Sequence, residues 1–488
     1  MEARSLTRRR FVKVVLMGVG GTALTACAAT AAPEEAPVVG DVPAEATVPL
    51  QAEKQASIEL WWAVGPQEQA VAQVFQEVHP EIQLELIDIG ETVYGTPKFT
   101  TAVAAGEGPE VAYQNRHTFQ QFSARGLYLP LDDYLERDGL DMNDFPPMQM
   151  KTLSWGGPIY GLPNVVDGRF FFWNRAHFEE AGIDPDAGPE TWDDIVEYTA
   201  KLLKRNGDTI ERYAFIPGFP PGLSDQLLIY AIENGGASMD ESGRTSLLDS
   251  SEWVEALEWC MNYTDEYCGG FEMATGSMQG FTGQAQDMFA SGMISMTSYG
   301  GWMIQNYAAF PDLDHDGTAV MPVAPHLKGT KINWNCDYSW AMTSKRGGDL
   351  EAGWTLVKFL ISPEKFEAEA TVGQELSKAQ WEREGLPGTP VYYAAAPGYR
   401  PAREWVAANV YANYPDRQRK MAESTLDCVE WGQECGLIGG LAATELWTEM
   451  ATAWQSALSH TLSPKEAMAQ AQANHQRALD ENWAKLDV

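Results

Sequence analysis

The amino-acid sequence predicts an α/β protein folded as two lobes, each a parallel-dominated sheet with helices on both faces. Three observations carry that expectation. The chain has 488 residues, long enough for two domains with separate cores. A strand–helix–strand unit lies between Ile58 and Leu86. The stretch from Gly156 to Leu203 leaves one body through an irregular connector and opens a new strand–helix–helix unit.

The chain begins with Thr7-Arg8-Arg9-Arg10-Phe11-Val12-Lys13, which resembles a twin-arginine export signal and implies folding before export. The apolar run behind it, Val14 to Ala23, is too short to span a membrane. Leu24-Thr25-Ala26-Cys27 resembles a bacterial lipobox, in which Cys27 becomes the lipidated first residue. The competing reading is a plain signal peptide cleaved near an Ala. Residues 1–26 are thus read as leader, and 27–55, rich in Ala, Pro, Glu and Val, as a disordered tether. No other stretch is long and apolar enough for a membrane span.

Ile58, Leu60 and Trp62 alternate with polar neighbours as a strand does. Val71, Val74, Phe75 and Val78 then recur at helical spacing until Pro80, and Ile82, Leu84 and Leu86 alternate again. This βαβ unit implies parallel strands. A further strand is expected at Glu110–Tyr113, then a helix over His117–Arg125 stopped by Gly126. Ligands of open α/β sheets sit beyond the carboxyl ends of the strands, here Trp61–Gly65 and Gln114–Arg116. Trp62 offers a flat apolar face or simply packs in the core, and Asn115 offers a donor and an acceptor.

The connector Asn164–Arg169 leads into Phe170, Phe171, Phe172 and Trp173, an apolar run that reads as a strand buried on both faces. Asn174 caps a short helix that Gly182 ends. Thr191 and Asp194 stand in a capping-box relation at the start of another. Ile294–Ser298 reads as a strand ending in Tyr299-Gly300-Gly301-Trp302. Glycines there let backbone approach a ligand, and Tyr299 and Trp302 can wall it. Trp334–Ser344 follows as strand, clustering Trp334, Asp337 and Trp340, and Asp349–Ile361 as helix. Ser463-Pro464-Lys465-Glu466 carries a helix-start pattern.

The order Tyr160-Gly161-Leu162-Pro163, apolar strand, Trp173-Asn174, helix, Ala181-Gly182-Ile183-Asp184, Thr191-Trp192-Asp193-Asp194 resembles the extracellular solute-binding proteins of ABC importers, in the sugar-carrying group. Ala104–Val111, Gly126–Asp132, Phe281–Gly292 and Val320–Pro325 resemble further segments of that family, with Glu110 where Asp is usual. The resemblance implies a two-lobed periplasmic-binding-protein fold of the second type, with crossings near Leu162–Asp167, Gly317–Val323 and Leu360–Pro363. Lobe 1 then comprises 56–163 and 320–361, and lobe 2 comprises 164–319 and 362–488. It also implies an exported, lipid-anchored monomer that closes on a solute and delivers it to ABC permease subunits.

Formal net charge is −34, more negative still without the basic leader. That argues against nucleic acid or anionic membrane as a partner. An enzyme would need a nucleophile with a base, a metal cluster or a phosphate cradle, and none of their motifs occurs. Abundant rings, with 17 Trp, 18 Tyr and 18 Phe, favour binding: sugar C–H faces stack on aromatic planes and their hydroxyls pair with Asp, Asn, Gln or Arg. Asp167 and Arg169 on the connector fit the polar half. A secreted glycoside-acting enzyme, or a binder of a polyol, a glycerophosphodiester or a cationic solute, is the alternative. No cofactor is expected. Asp312, Asp314 and Asp316 imitate half of a calcium loop, but Val323 stands where a bidentate Glu belongs, and a solvated turn of Asx residues is the preferred reading over calcium. Cys260–Cys268 and Cys428–Cys435 are candidate disulfides in an oxidising compartment, with Cys336 left over.

Overall fold

The computed structural model describes residues 56–90, 97–218, 226–279, 287–310, 312–333, 335–336, 338–345, 347–431 and 439–486. The leader with Cys27, the tether, Trp334, Asp337 and the start of the Phe281 segment lie outside them. The first lobe opens with β1 (Ala56–Trp62), α1 (Pro66–Val78) and β2 (Ile82–Asp88), the expected βαβ unit. It continues through α2 (Pro97–Ala105), β3 (Val111–Asn115), α3 (Phe119–Ala124), α4 (Asp132–Asp138) and α5 (Pro147–Thr152) to the short β4 (Leu162–Pro163).

β5 (Val165–Asn174) carries the aromatic run into the second lobe. α6 (Arg175–Glu180) follows, its first turn capped where Asn174 Oδ1 accepts the His177 N–H at 3.0 Å. α7 (Trp192–Leu202) begins with the expected capping box, in which Asp194 Oδ2 accepts the Thr191 N–H at 2.8 Å. Next come the hairpin β6 (Lys204–Asn206) and β7 (Thr209–Arg212), α8 (Gln226–Glu233), α9 (Ser251–Tyr267), α10 (Phe271–Met278), β8 (Met296–Gly300), α11 (Met303–Ala308), β9 (His315–Thr318) and β10 (Asn335–Cys336). The chain returns with β11 (Tyr338–Met342) and α12 (Leu350–Leu360), and leaves again through α13 (Pro363–Glu384). β12 (Ala396–Pro397), α14 (Arg400–Asn409), α15 (Asp416–Trp431), α16 (Ala443–Leu458) and α17 (Pro464–Leu486) complete it.

The first sheet runs β2-β1-β3-β11-β4. β1 is parallel to β2 and β3, while β11 is antiparallel to both β3 and β4. A strand that arrives only after the second lobe is therefore inserted between two strands made before it. Period-two alternation splits the core in two. Ile58, Leu60, Trp62, Trp340 and Met342 join one cluster with Phe75 and Trp354. Trp61, Ala112 and Ala341 join the other, with Phe99, Phe119 and Tyr128.

The second sheet is organised around β5. β8 and β9 both pair with Phe171 and Phe172 antiparallel, and β10 and β12 pair antiparallel with its first residues. The expectation of parallel-dominated sheets thus holds for the β1–β3 part of lobe 1 and is corrected for these pairings of lobe 2. Alternation and apolarity tell that a strand is buried; they carry no information on neighbour direction. Phe170, Phe171 and Phe172 are at most 2% exposed, and fully burying such a ring contributes about 1.5–3 kcal/mol.

The return crossing also needs correction. Met321, Val323, Ala324 and Ile332 belong to the core built on the aromatic strand, and Trp192 N–H donates to Val323 O at 3.0 Å. Lobe 2 therefore continues at least to Asn333, which bonds the Arg169 backbone, and the return to the first lobe comes after it, not at Gly317–Val323. α13 is shared: it packs along α1, with Ala368 in the first-lobe core and Phe366 and Ala370 in the second. Cys260 and Cys268 are free and buried. Eight residues along one helix set them about 12 Å apart, too far to bridge; the Cys428–Cys435 pairing lies outside the described side chains. Among the described residues no helix is long and apolar enough to cross a membrane.

Candidate functional site

Where the crossings meet, a cavity of about 280 Å³ opens between the lobes, near the lower end of ligand pockets, which run about 300–1,000 Å³. The first lobe contributes Trp62 from the carboxyl end of β1, Tyr113 from β3, and Gln67 and Glu68 from the first turn of α1. The crossing segments contribute Asn164, Val165 and Tyr338. The rest of the wall is made by Trp302, Phe366, Glu369, Tyr392 and Tyr393. Gly65 and Pro66 force the turn that presents Gln67 and Glu68: Pro stands at the first helical position and the Gly65 N–H donates to Glu68 Oε2 at 2.8 Å.

The rings are fixed by one another. Trp62 meets Trp340 edge to face, centroids 5.0 Å apart, and Tyr113 stacks on Tyr338 at 5.0 Å. Tyr299 and Trp302 are perpendicular at 5.7 Å. The Arg169 guanidinium lies 5.7 Å from the Trp302 ring, and Asn333 holds the Arg169 backbone, accepting its N–H at 3.0 Å and donating to its carbonyl at 2.7 Å.

Beneath Trp62 lies a buried ammonium. Lys365 is fully buried; its Nζ donates to Asn164 Oδ1 at 2.8 Å and pairs with Glu369 Oε1 at 2.8 Å. Burial holds the Lys365 pKa below the usual lysine range and pushes that of Glu369 up, while their mutual attraction opposes both shifts. Isolated charges at such depth would be expensive; paired, they persist.

The structure brings Trp62 and Trp302 to the cavity wall, with Tyr299 and Arg169 packed against the Trp302 ring. Trp340 is 0% exposed and backs Trp62 rather than lining the space. Asn115 spends its Oδ1 capping the turn Arg116–Thr118, accepting the His117 N–H at 3.0 Å, and does not line the cavity. Asp167 pairs through its backbone with Cys336; its side chain, Trp334 and Asp337 lie outside the described residues. Gln67, Glu68, Asn164, Tyr338, Phe366, Glu369, Tyr392 and Tyr393 were not singled out from sequence. The Gly65-Pro66 helix start directly after a strand end was the available signal for Gln67 and Glu68. Tyr392 and Tyr393 sit in no motif.

The acidic corner is occupied by cations of the chain itself. Arg175 lies 3.5 Å from Asp314 and 3.9 Å from Asp316, Lys420 lies 3.3 Å from Asp316, and Arg417 pairs with Asp314. Asp312 is exposed. These contacts gather Arg175, Arg417 and Lys420 around Asp314 and Asp316.

A profile of the bacterial extracellular solute-binding proteins matches residues 61–365. The chain belongs to that family. Among curated relatives, this solute-binding protein is 24% identical over 432 residues to the mannitol-binding protein of Pseudomonas aeruginosa, covering 84% of this chain and 89% of that one. It is 24% identical over 315 residues to the maltotriose-binding protein of Pyrococcus abyssi, 62% of each. It is 27% identical over 270 residues to a probable amino-acid ABC transporter periplasmic-binding protein of Sinorhizobium fredii; that match spans 52% of this chain and 57% of the relative. Two solved structures share the fold. CpMnBP1 with mannotriose bound gives a TM-score of 0.66 at 24% identity, over 86% of this chain and all of that one. UgpB from Mycobacterium tuberculosis with glycerophosphocholine gives 0.63 at 17% identity, over 87% and 99%. Both are two-lobed, and the two sheets of this solute-binding protein, joined by three crossings, have the same architecture.

Proposed function

We propose that this solute-binding protein captures a small carbohydrate in the interlobe cavity and delivers it to the permease of an ABC importer, without transforming it. The observation that carries this reading is the composition of the cavity wall. Rings from both lobes (Trp62, Tyr113, Tyr338, Trp302) stand beside Gln67, Glu68, Asn164 and Glu369. Planar faces suit the C–H side of a pyranose, and amides and carboxylates suit its hydroxyls. Because both lobes supply the wall, a guest contacts more protein in the closed state and shifts the equilibrium towards it. The names of the relatives, which include binders of maltotriose and mannitol, support a sugar or polyol over an amino acid. The leader supports twin-arginine export and anchoring through a lipid on Cys27, with the monomeric protein held at the outer face of the cytoplasmic membrane.

Calorimetric titration of mono- and oligosaccharides and polyols into the protein tests the reading, with a hydrolysis assay on the same sugars. Saturable binding of a sugar with no product is the expected result. Product formation, or binding confined to amino acids, would overturn it.

A further inference from the structure

We propose that the cavity selects a sugar bearing a protonated amine, with Glu68 as the residue that determines this preference. The inference rests on the carbohydrate reading and adds the charge of the guest. Among the described residues, the ionisable acids and bases on the wall are the carboxylates of Glu68 and Glu369. Glu369 is matched by Lys365 at 2.8 Å. Lys365 itself cannot greet a guest: it is fully buried, its Nζ lying 3.9 Å from the Phe366 ring centroid and 5.7 Å from that of Trp62. Arg169 does not line the cavity; it is 5% exposed and its guanidinium lies over the Trp302 ring at 5.7 Å. At Glu68, Oε2 accepts the Gly65 N–H, and Oε1 receives no hydrogen bond among the described residues. Two carboxylates against one ammonium leave one negative charge at the first-lobe wall, and that charge has an oxygen open to a donor.

The same cavity wall carries the rings of Trp62, Tyr113 and Tyr338. A carboxylate amid rings is the surrounding that favours an ammonium, by a charge-assisted hydrogen bond and by attraction to the ring quadrupoles. A neutral hydroxyl at the same position donates a weaker bond. An anionic substituent would face the Glu68 carboxylate, whose charge is the surplus over the Glu369–Lys365 pair.

The test uses the exported protein and matched sugars of one ring stereochemistry at a time: a neutral hexose, its 2-amino-2-deoxy analogue and its uronate, in the gluco, manno and galacto series, at about pH 6, where a sugar ammonium stays protonated. Calorimetry should show the amino sugar of the accepted series binding roughly tenfold tighter or more than the neutral one, with the uronate undetected. The preference should shrink at high salt, and Glu68→Gln should bring the amino and neutral sugars to parity. Equal or tighter binding of the neutral hexose overturns the inference and leaves the carbohydrate reading standing. A preference that survives Glu68→Gln overturns the role of Glu68. Binding of a plain amine such as choline by a protein that takes no sugar overturns both.

Discussion

Lys365 Nζ donates to Asn164 Oδ1 across 2.8 Å, tying the third segment that joins the lobes to the first. Both residues are buried, and Asn164 also lines the cavity. A movement of one lobe against the other must either carry this contact with it or break it. Hinge and binding wall thus share a hydrogen bond.

Replacing Lys365 with Met should destabilise the protein by about 3–5 kcal/mol, because Glu369 then loses its counter-charge at depth. Urea denaturation measures this. Lys365→Met combined with Glu369→Gln should recover much of the loss, since the stranded charge is gone. A single variant as stable as the parent would show that the pair is not buried in solution.

Trp302→Ala should weaken binding of the accepted sugar by about 1–3 kcal/mol if the indole stacks on it. Calorimetry reads the change directly. Unaltered affinity would remove Trp302 from the contact and assign its ring to covering Arg169.

Gly301→Ala tests the packing of the cavity wall. A Cβ there would overlap the Tyr393 hydroxyl and come within 3.0 Å of Phe170. Phe170 is locked in the core, so Tyr393 must swing, and Tyr393 is cavity wall. A stability loss of about 1–3 kcal/mol is expected, with ligand affinity lowered several-fold. Parental melting temperature and affinity together would contradict it.

Acid should destabilise the fold before ion-paired carboxylates such as Glu180 protonate. Burial holds His315 and His475 down at about 4, whereas both titrate near 6.5 in the unfolded chain. Between those values the unfolded state binds more protons, so stability falls as pH falls through the window and is independent of these groups above it. Each pH unit of separation corresponds to about 1.4 kcal/mol per group. Glu180, held at about 2 by Lys204 and Arg212, adds to the loss only below about pH 4.5. Thermal denaturation from pH 7 to 4.5 should show a steady decline; a flat profile would mean that these imidazoles are hydrated.

Some of this is local and therefore readable in the chain alone. The βαβ unit, the capping box at Thr191, the Asn174 cap and the buried character of Phe170–Trp173 depend on residues a few positions apart, whose spacing is written in the sequence. The ordered motifs between Tyr160 and Asp194 were enough to point to the family. What the residues could not announce was decided by distance across the chain. Trp340 and Trp62 look alike as sequence, yet one lines the cavity and the other backs it, because β11 inserts beside β3 and turns Trp340 inward. Val320–Pro325 is apolar enough for either lobe, and its contacts with Glu190 and Trp192 place it in the second. Lys365 and Glu369 read as an ordinary i, i+4 surface pair on a helix. Only the packing of α13 against both lobes buries them under Trp62, since burial is a property of what the rest of the chain brings to a residue.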